Sequence, residues 1–84
     1  MTDIGGFEIH GTAVGKETSI KLDEISILGC PETIKAIGEF LVKVADRMIC
    51  ENLEHMHLQD IFYNFSSSDH VDIIALNSNL ILKV

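Results

Sequence analysis

A chain of 84 residues, 46% apolar and 23% charged, makes one globular domain spanning residues 1–84 rather than a disordered or repetitive segment. Thirteen acidic against six basic residues give a formal charge of -7, the wrong sign for nucleic acid or an anionic membrane, both of which need a basic footprint. No apolar run approaches the roughly 20 residues of a membrane span, and the apolar fraction is high enough for so short a chain that a partner or a second copy is expected to cover part of it.

The opening segment, MTDIGGFEIHG, has neither a basic n-region nor an apolar h-region, so no signal peptide is expected. Phe7, Ile9, Gly11 and Ala13 alternate with Glu8, His10 and Thr12, the period of a half-buried strand. Gly15-Lys16-Glu17-Thr18 reads as a turn into a second strand, from about Ile20 to Leu28. Its apolar phase slips at Asp23-Glu24, where a β-bulge would return Ile25 and Ile27 to the face of Ile20 and Leu22.

Gly29-Cys30-Pro31-Glu32 reads as a helix start, because proline suits the first turn and the glutamate complements the dipole. The helical pattern runs to about Glu51. Ile34, Ile37, Gly38, Leu41, Val44, Ala45 and Met48 share one side, flanked by Phe40, Val42 and Ile49. Glu39 and Lys43 stand on the polar side at i,i+4. Gly38 costs on the order of 1 kcal/mol inside a helix, and close approach of a strand would explain it. Cys30 and Cys50 lie at opposite ends of this helix, roughly 30 Å apart, so they are read as free thiols of a reducing cytoplasm.

Asn52 is expected to close the helix. In LEHMHLQDIF, residues 53–62, Met56 and Leu58 alternate with His55, His57 and Gln59, which is strand period again. Ile61 to Phe65 reads as a continued strand or a packed loop, and Ser66-Ser67-Ser68-Asp69 as a loop. Asp72 to Leu76 reads as a strand covered on both faces, and Asn77-Ser78-Asn79 as a turn into a last strand, Leu80 to Val84. The order is β-β-α-β-β, with room for a further strand: an α+β fold with one helix on one face of a mostly antiparallel sheet.

If Met56 and Leu58 face the helix, His55, His57 and Gln59 face away from it, and on the first strand Glu8, His10 and Thr12 do the same. The helix-free side would then carry up to three of the four histidines. Two histidines on one strand face, with Asp60, Asp69 or Asp72 nearby, could hold zinc, but Asp60 is out of phase and no second ligand motif accompanies them. No nucleophile-base arrangement and no glycine-rich phosphate loop stands out. Solvated histidines are the plainest reading, and a surface that hydrogen-bonds a basic cleft is the functional one.

Pro31-Glu32, then Ile37-Gly38-Glu39-Phe40-Leu41, then His55-Met56-His57-Leu58-Gln59-Asp60, then Asp72-Ile73-Ile74, preceded by the acid-apolar step Leu22-Asp23-Glu24-Ile25, resembles in order and spacing a family of small α+β immunity proteins from bacterial polymorphic toxin systems. Ile61-Phe62-Tyr63 stands where that family often has tryptophan. The resemblance implies a cytoplasmic, non-enzymatic antidote without a cofactor, which binds a cognate toxin domain such as a nuclease. His55, His57, Gln59 and Asp60 would carry the binding, supported by Glu8, His10, Asp23 and Glu24. The competing readings are a histidine-based metal protein or enzyme, and a homodimeric structural module.

Overall fold

The structure, a computed structural model, describes residues 3–81. It is an α+β fold with four short strands and one long helix: β1 (Ile9–Gly11), β2 (Ile20–Leu22), α1 (Pro31–Glu51), β3 (His55–His57), a 3-10 turn (Leu58–Asp60) and β4 (Ile74–Leu76). The strands form two antiparallel two-stranded ladders, β1–β2 and β3–β4, rather than one continuous sheet. The helix packs on the second ladder.

In the first hairpin Ile9 pairs with Leu22 and Gly11 with Ile20. A turn closed by the Lys16 N–H on the Ala13 carbonyl at 2.9 Å reverses the chain. Gly15 sits in it at φ 78, a backbone conformation that glycine adopts without strain. The strand expected to run to Leu28 ends at Leu22. No bulge forms at Asp23-Glu24, and Ile25, Ile27 and Leu28 are left exposed.

The helix begins and ends where local chemistry directs. Cys30 is the extended N-cap residue, Pro31 opens the first turn, and Asn52 adopts the left-handed conformation at φ 58 that terminates many helices. Phe40 and Val44, one turn apart, are its buried residues, and with Leu58 they form the core. Met48, Leu53, Met56, Phe62, Phe65, Ile73 and Ala75 pack around them. The buried seam is therefore centred on Phe40 and Val44 and is narrower than the apolar arc of the sequence. Two three-residue strands cannot cover a wide arc, so Leu41, Val42 and Ile49 stay exposed. On the polar side Glu39 approaches Lys35 at 4.0 Å rather than Lys43, and Arg47 meets Glu51 at 3.3 Å. Exposed pairs of this kind are worth about 0.5 kcal/mol or less.

Gly38 is not explained by a close strand, for a Cβ built there meets nothing within 4 Å. A Gly38→Ala variant is therefore expected to gain about 0.5–1 kcal/mol of stability through helix propensity and reduced unfolded-state entropy. Urea denaturation at fixed protein concentration measures it, and a loss of stability would mean that another part of the protein packs closely against the helix at this point.

The segment 61–65 is a packed loop: Phe62 and Phe65 rest on the core. Residues 66–70 fold on themselves, the Ser66 N–H donating to His70 Nδ1 at 2.9 Å and the His70 N–H to the Ser66 carbonyl at 2.7 Å. In β4, Ile74 and Leu76 are exposed and Ala75 half-buried, so this strand is covered on one face and not on both. Asn77 locks its end, with the Asn77 N–H on the Glu54 carbonyl at 2.8 Å and the side-chain amide on the Leu53 carbonyl at 3.0 Å. Leu80 and Ile81 continue a turn rather than open a strand, and residues 82–84 of the expected last strand lie outside the described residues.

Candidate functional site

The phase of β3 is fixed by its middle residue. Met56 turns inward against the Phe40, Val44 and Leu58 cluster, so the alternation of a strand sends His55 and His57 to the opposite, helix-free face. Across the ladder Ala75 stands opposite Met56, while Leu76 stands opposite His55 and Ile74 opposite His57. The outer face of the second hairpin thus carries two imidazoles, edge to face at a centroid separation of 5.6 Å, beside two exposed aliphatic side chains.

A carboxylate braces His57. Asp72, just before β4, accepts from His57 Nδ1 at 2.6 Å through one oxygen and from the Gln59 N–H at 3.0 Å through the other. It therefore ties the end of β3 and the 3-10 turn to the chain that returns as β4. Facing a carboxylate, Nδ1 is the donor, and this leaves His57 Nε2 for an outside group. His55 is held less firmly, with Nδ1 at 3.3 Å from Glu54 Oε1. His57 is part-buried by the clasp, whereas His55 is exposed.

Gln59 and Asp60 lie on the 3-10 turn and are exposed. Together with Phe62 and Tyr63 they edge a shallow, open hollow beside the histidine face. Tyr63 stands clear of the fold. These four residues and the histidine pair all belong to the β3–β4 half of the molecule.

Glu8, His10, Asp23 and Glu24 belong to the other half. Glu8, just before β1, pairs at 3.0 Å with His10 of that strand, and Asp23 and Glu24 follow β2, all of them exposed. The expectation that Glu8, His10 and Thr12 share one sheet face with His55 and His57 is corrected here, because the two groups sit on separate ladders. Sequence reasoning weighed Asp72 only as a metal ligand and missed its bracing role, along with the contribution of Tyr63, Ile74 and Leu76 to the outer surface. The Asp72-Ile73-Ile74 step was visible, but its register against β3 was not.

Among the described residues no three His, Cys, Asp or Glu side chains converge where they could hold a metal ion. Cys30 and Cys50 are free and exposed. The Cys30 thiol lies 3.2 Å from the Thr33 hydroxyl, and hydrogen bonding to Thr33 holds its pKa below the ordinary thiol value. No helix among the described residues is long and apolar enough to cross a membrane. In comparisons with family models, curated proteins and solved structures, the chain matches none.

Proposed function

We propose that this chain is an immunity protein. It binds a cognate bacterial toxin domain inside the producing cell and blocks it by occupation, without catalysis of its own. The observation that carries the reading is the outward pair His55 and His57 on one ladder, His57 held by Asp72, with Ile74 and Leu76 across from them. A face of this kind combines preset hydrogen-bonding groups with an apolar floor, the anatomy of a protein-binding surface. Gln59, Asp60 and Tyr63 extend it.

The charge of -7 supports a basic partner such as a nuclease cleft, whose approach an acidic field speeds. Glu8, Asp23 and Glu24 lie at the other hairpin and contribute to that field, with His10 paired to Glu8 among them, whereas the β3–β4 face sets the off-rate.

The test is binding of the toxin domain encoded beside this chain's reading frame, followed by stopped-flow and calorimetry. Association is expected to slow as salt rises from 50 to 500 mM because exposed charges are screened over about a Debye length. Substitution of His57 by alanine is expected to weaken the complex at least tenfold, about 1.4 kcal/mol or more. Full affinity in His57→Ala, His55→Ala and Asp60→Ala alike would remove the β3–β4 face from the interface. Failure to bind or neutralise the neighbouring product would remove the function.

A further inference from the structure

The first hairpin poses a problem that the second does not. A compact monomer of 9.3 kDa exposes roughly 5,000 Å², whereas this chain exposes 7531 Å². Its radius of gyration is 13.8 Å, against about 12 Å for a compact chain of this length. Only Phe40, Val44 and Leu58 are buried apolar residues among the described ones, although nearly half the sequence is apolar.

Much of the uncovered apolar surface is on the hairpin and the segment leading from it to the helix. Phe7, Ile20, Ile25, Ile27 and Leu28 are all exposed. A lone two-stranded hairpin is marginal in water, and β1–β2 is three residues long with both edges open.

The segment Ile25-Ser26-Ile27-Leu28 adds a specific geometry. It is uncharged and strand-forming in composition, and it follows β2 after Asp23-Glu24, yet among the described residues none of its backbone groups is hydrogen-bonded to the rest of the chain. An unpaired apolar edge of this kind is a template for another strand. We propose that a second copy of the chain supplies it: the Ile25–Leu28 segments of two copies pair antiparallel across a two-fold axis, and their hairpins close on each other as an obligate dimer.

Area, chemistry and symmetry agree on that occupant. The surface in excess of a compact monomer, roughly 2,500 Å² over the whole chain, is enough to contain one protomer's share, about 1,000–2,500 Å², of an obligate homodimer interface. Obligate interfaces are apolar at their centre, as this face is. Identical strands running antiparallel about a two-fold axis make a self-complementary contact that two copies satisfy reciprocally. Two chains of charge -7 repel in general, so they would meet through their least charged stretch, and residues 25–31 carry no charge. The proposal uses the first hairpin and stands apart from the toxin-binding reading of the second.

Sedimentation velocity of the untagged full chain at 5–100 µM tests it. The expected mass is twice the chain mass of 9.3 kDa, the thermal midpoint should rise with protein concentration, and neither should weaken in 500 mM salt. Ile27→Glu, which sets like charges across the axis, is expected to give a monomer that keeps its α1 circular dichroism, since Ile27 lies outside the core cluster. Should that variant fail to fold, hydrogen exchange on the unmodified chain reads the same contact: the amides of Ser26, Ile27 and Leu28, unbonded within the chain, should be protected at 100 µM. A monomeric mass across the whole range overturns the dimer, including the case in which this strand pairs only with a toxin domain. Unprotected amides at 26–28 in a dimeric sample, or a dimer that survives Ile27→Glu, overturn the strand pairing.

Discussion

A Phe40→Ala variant is expected to lose about 3–5 kcal/mol of stability, most or all of what so small a domain possesses. Phe40 is 3% exposed and belongs to the buried cluster among the described residues, so its removal opens a void between α1 and the second ladder. With Val44 and Leu58 as its fellow members, little apolar mass remains to collapse into the space. Ile49, equally apolar and on the same helix, is 81% exposed. Ile49→Ala is expected to stay within about 0.5 kcal/mol of the parent. Urea denaturation of both variants at one protein concentration separates a structural core from mere hydrophobicity of composition. Comparable losses in the two would show that Ile49 is buried in solution by something absent from the single chain.

That contrast also marks how far the sequence could be read. The helix ends were legible to a residue because they rest on local chemistry: Pro31 in the first turn, Glu32 behind it, Asn52 at the left-handed stop. The outward aim of His55 and His57 was legible because Met56 between them has one apolar place to go. Leu58 reached the core as well, but from a 3-10 turn and not from the strand its alternation suggested. What failed were the non-local choices. Alternation says that Ile9 and Met56 each belong to a strand, and nothing in it says that their strands form separate ladders. The apolar arc of the helix predicted a wide contact, whereas the actual seam depends on how much sheet is available to cover it. The phase slip at Asp23-Glu24 was read as a bulge, and it is where the ladder stops. Asp72 could be set at the start of a late strand and near the histidines, but not in its bond to His57, since that contact depends on a 15-residue separation in sequence being closed by a particular loop.

The clasp made by Asp72 yields the other large effect. Asp72→Ala is expected to lower stability by about 1.5–3 kcal/mol, the usual worth of hydrogen bonds to a charged group, because two donors lose one acceptor together. Asp72→Asn separates stability from the surface chemistry. The Gln59 N–H can only donate, so the new side chain must turn its oxygen toward residue 59 and its amide nitrogen toward His57. His57 Nδ1 then changes from donor to acceptor, and the proton of the neutral ring moves to Nε2, on the outward side. Stability should fall by less than about 1 kcal/mol, since both contacts survive with good shape. The group offered to a partner has nonetheless been inverted, from an acceptor to a donor. Nitrogen-15 spectra of the His57 ring distinguish the two tautomers directly, and the same sample serves for binding. A tautomer unchanged between parent and Asp72→Asn would show that the carboxylate does not govern the ring, and the preset geometry of the histidine face would go with it.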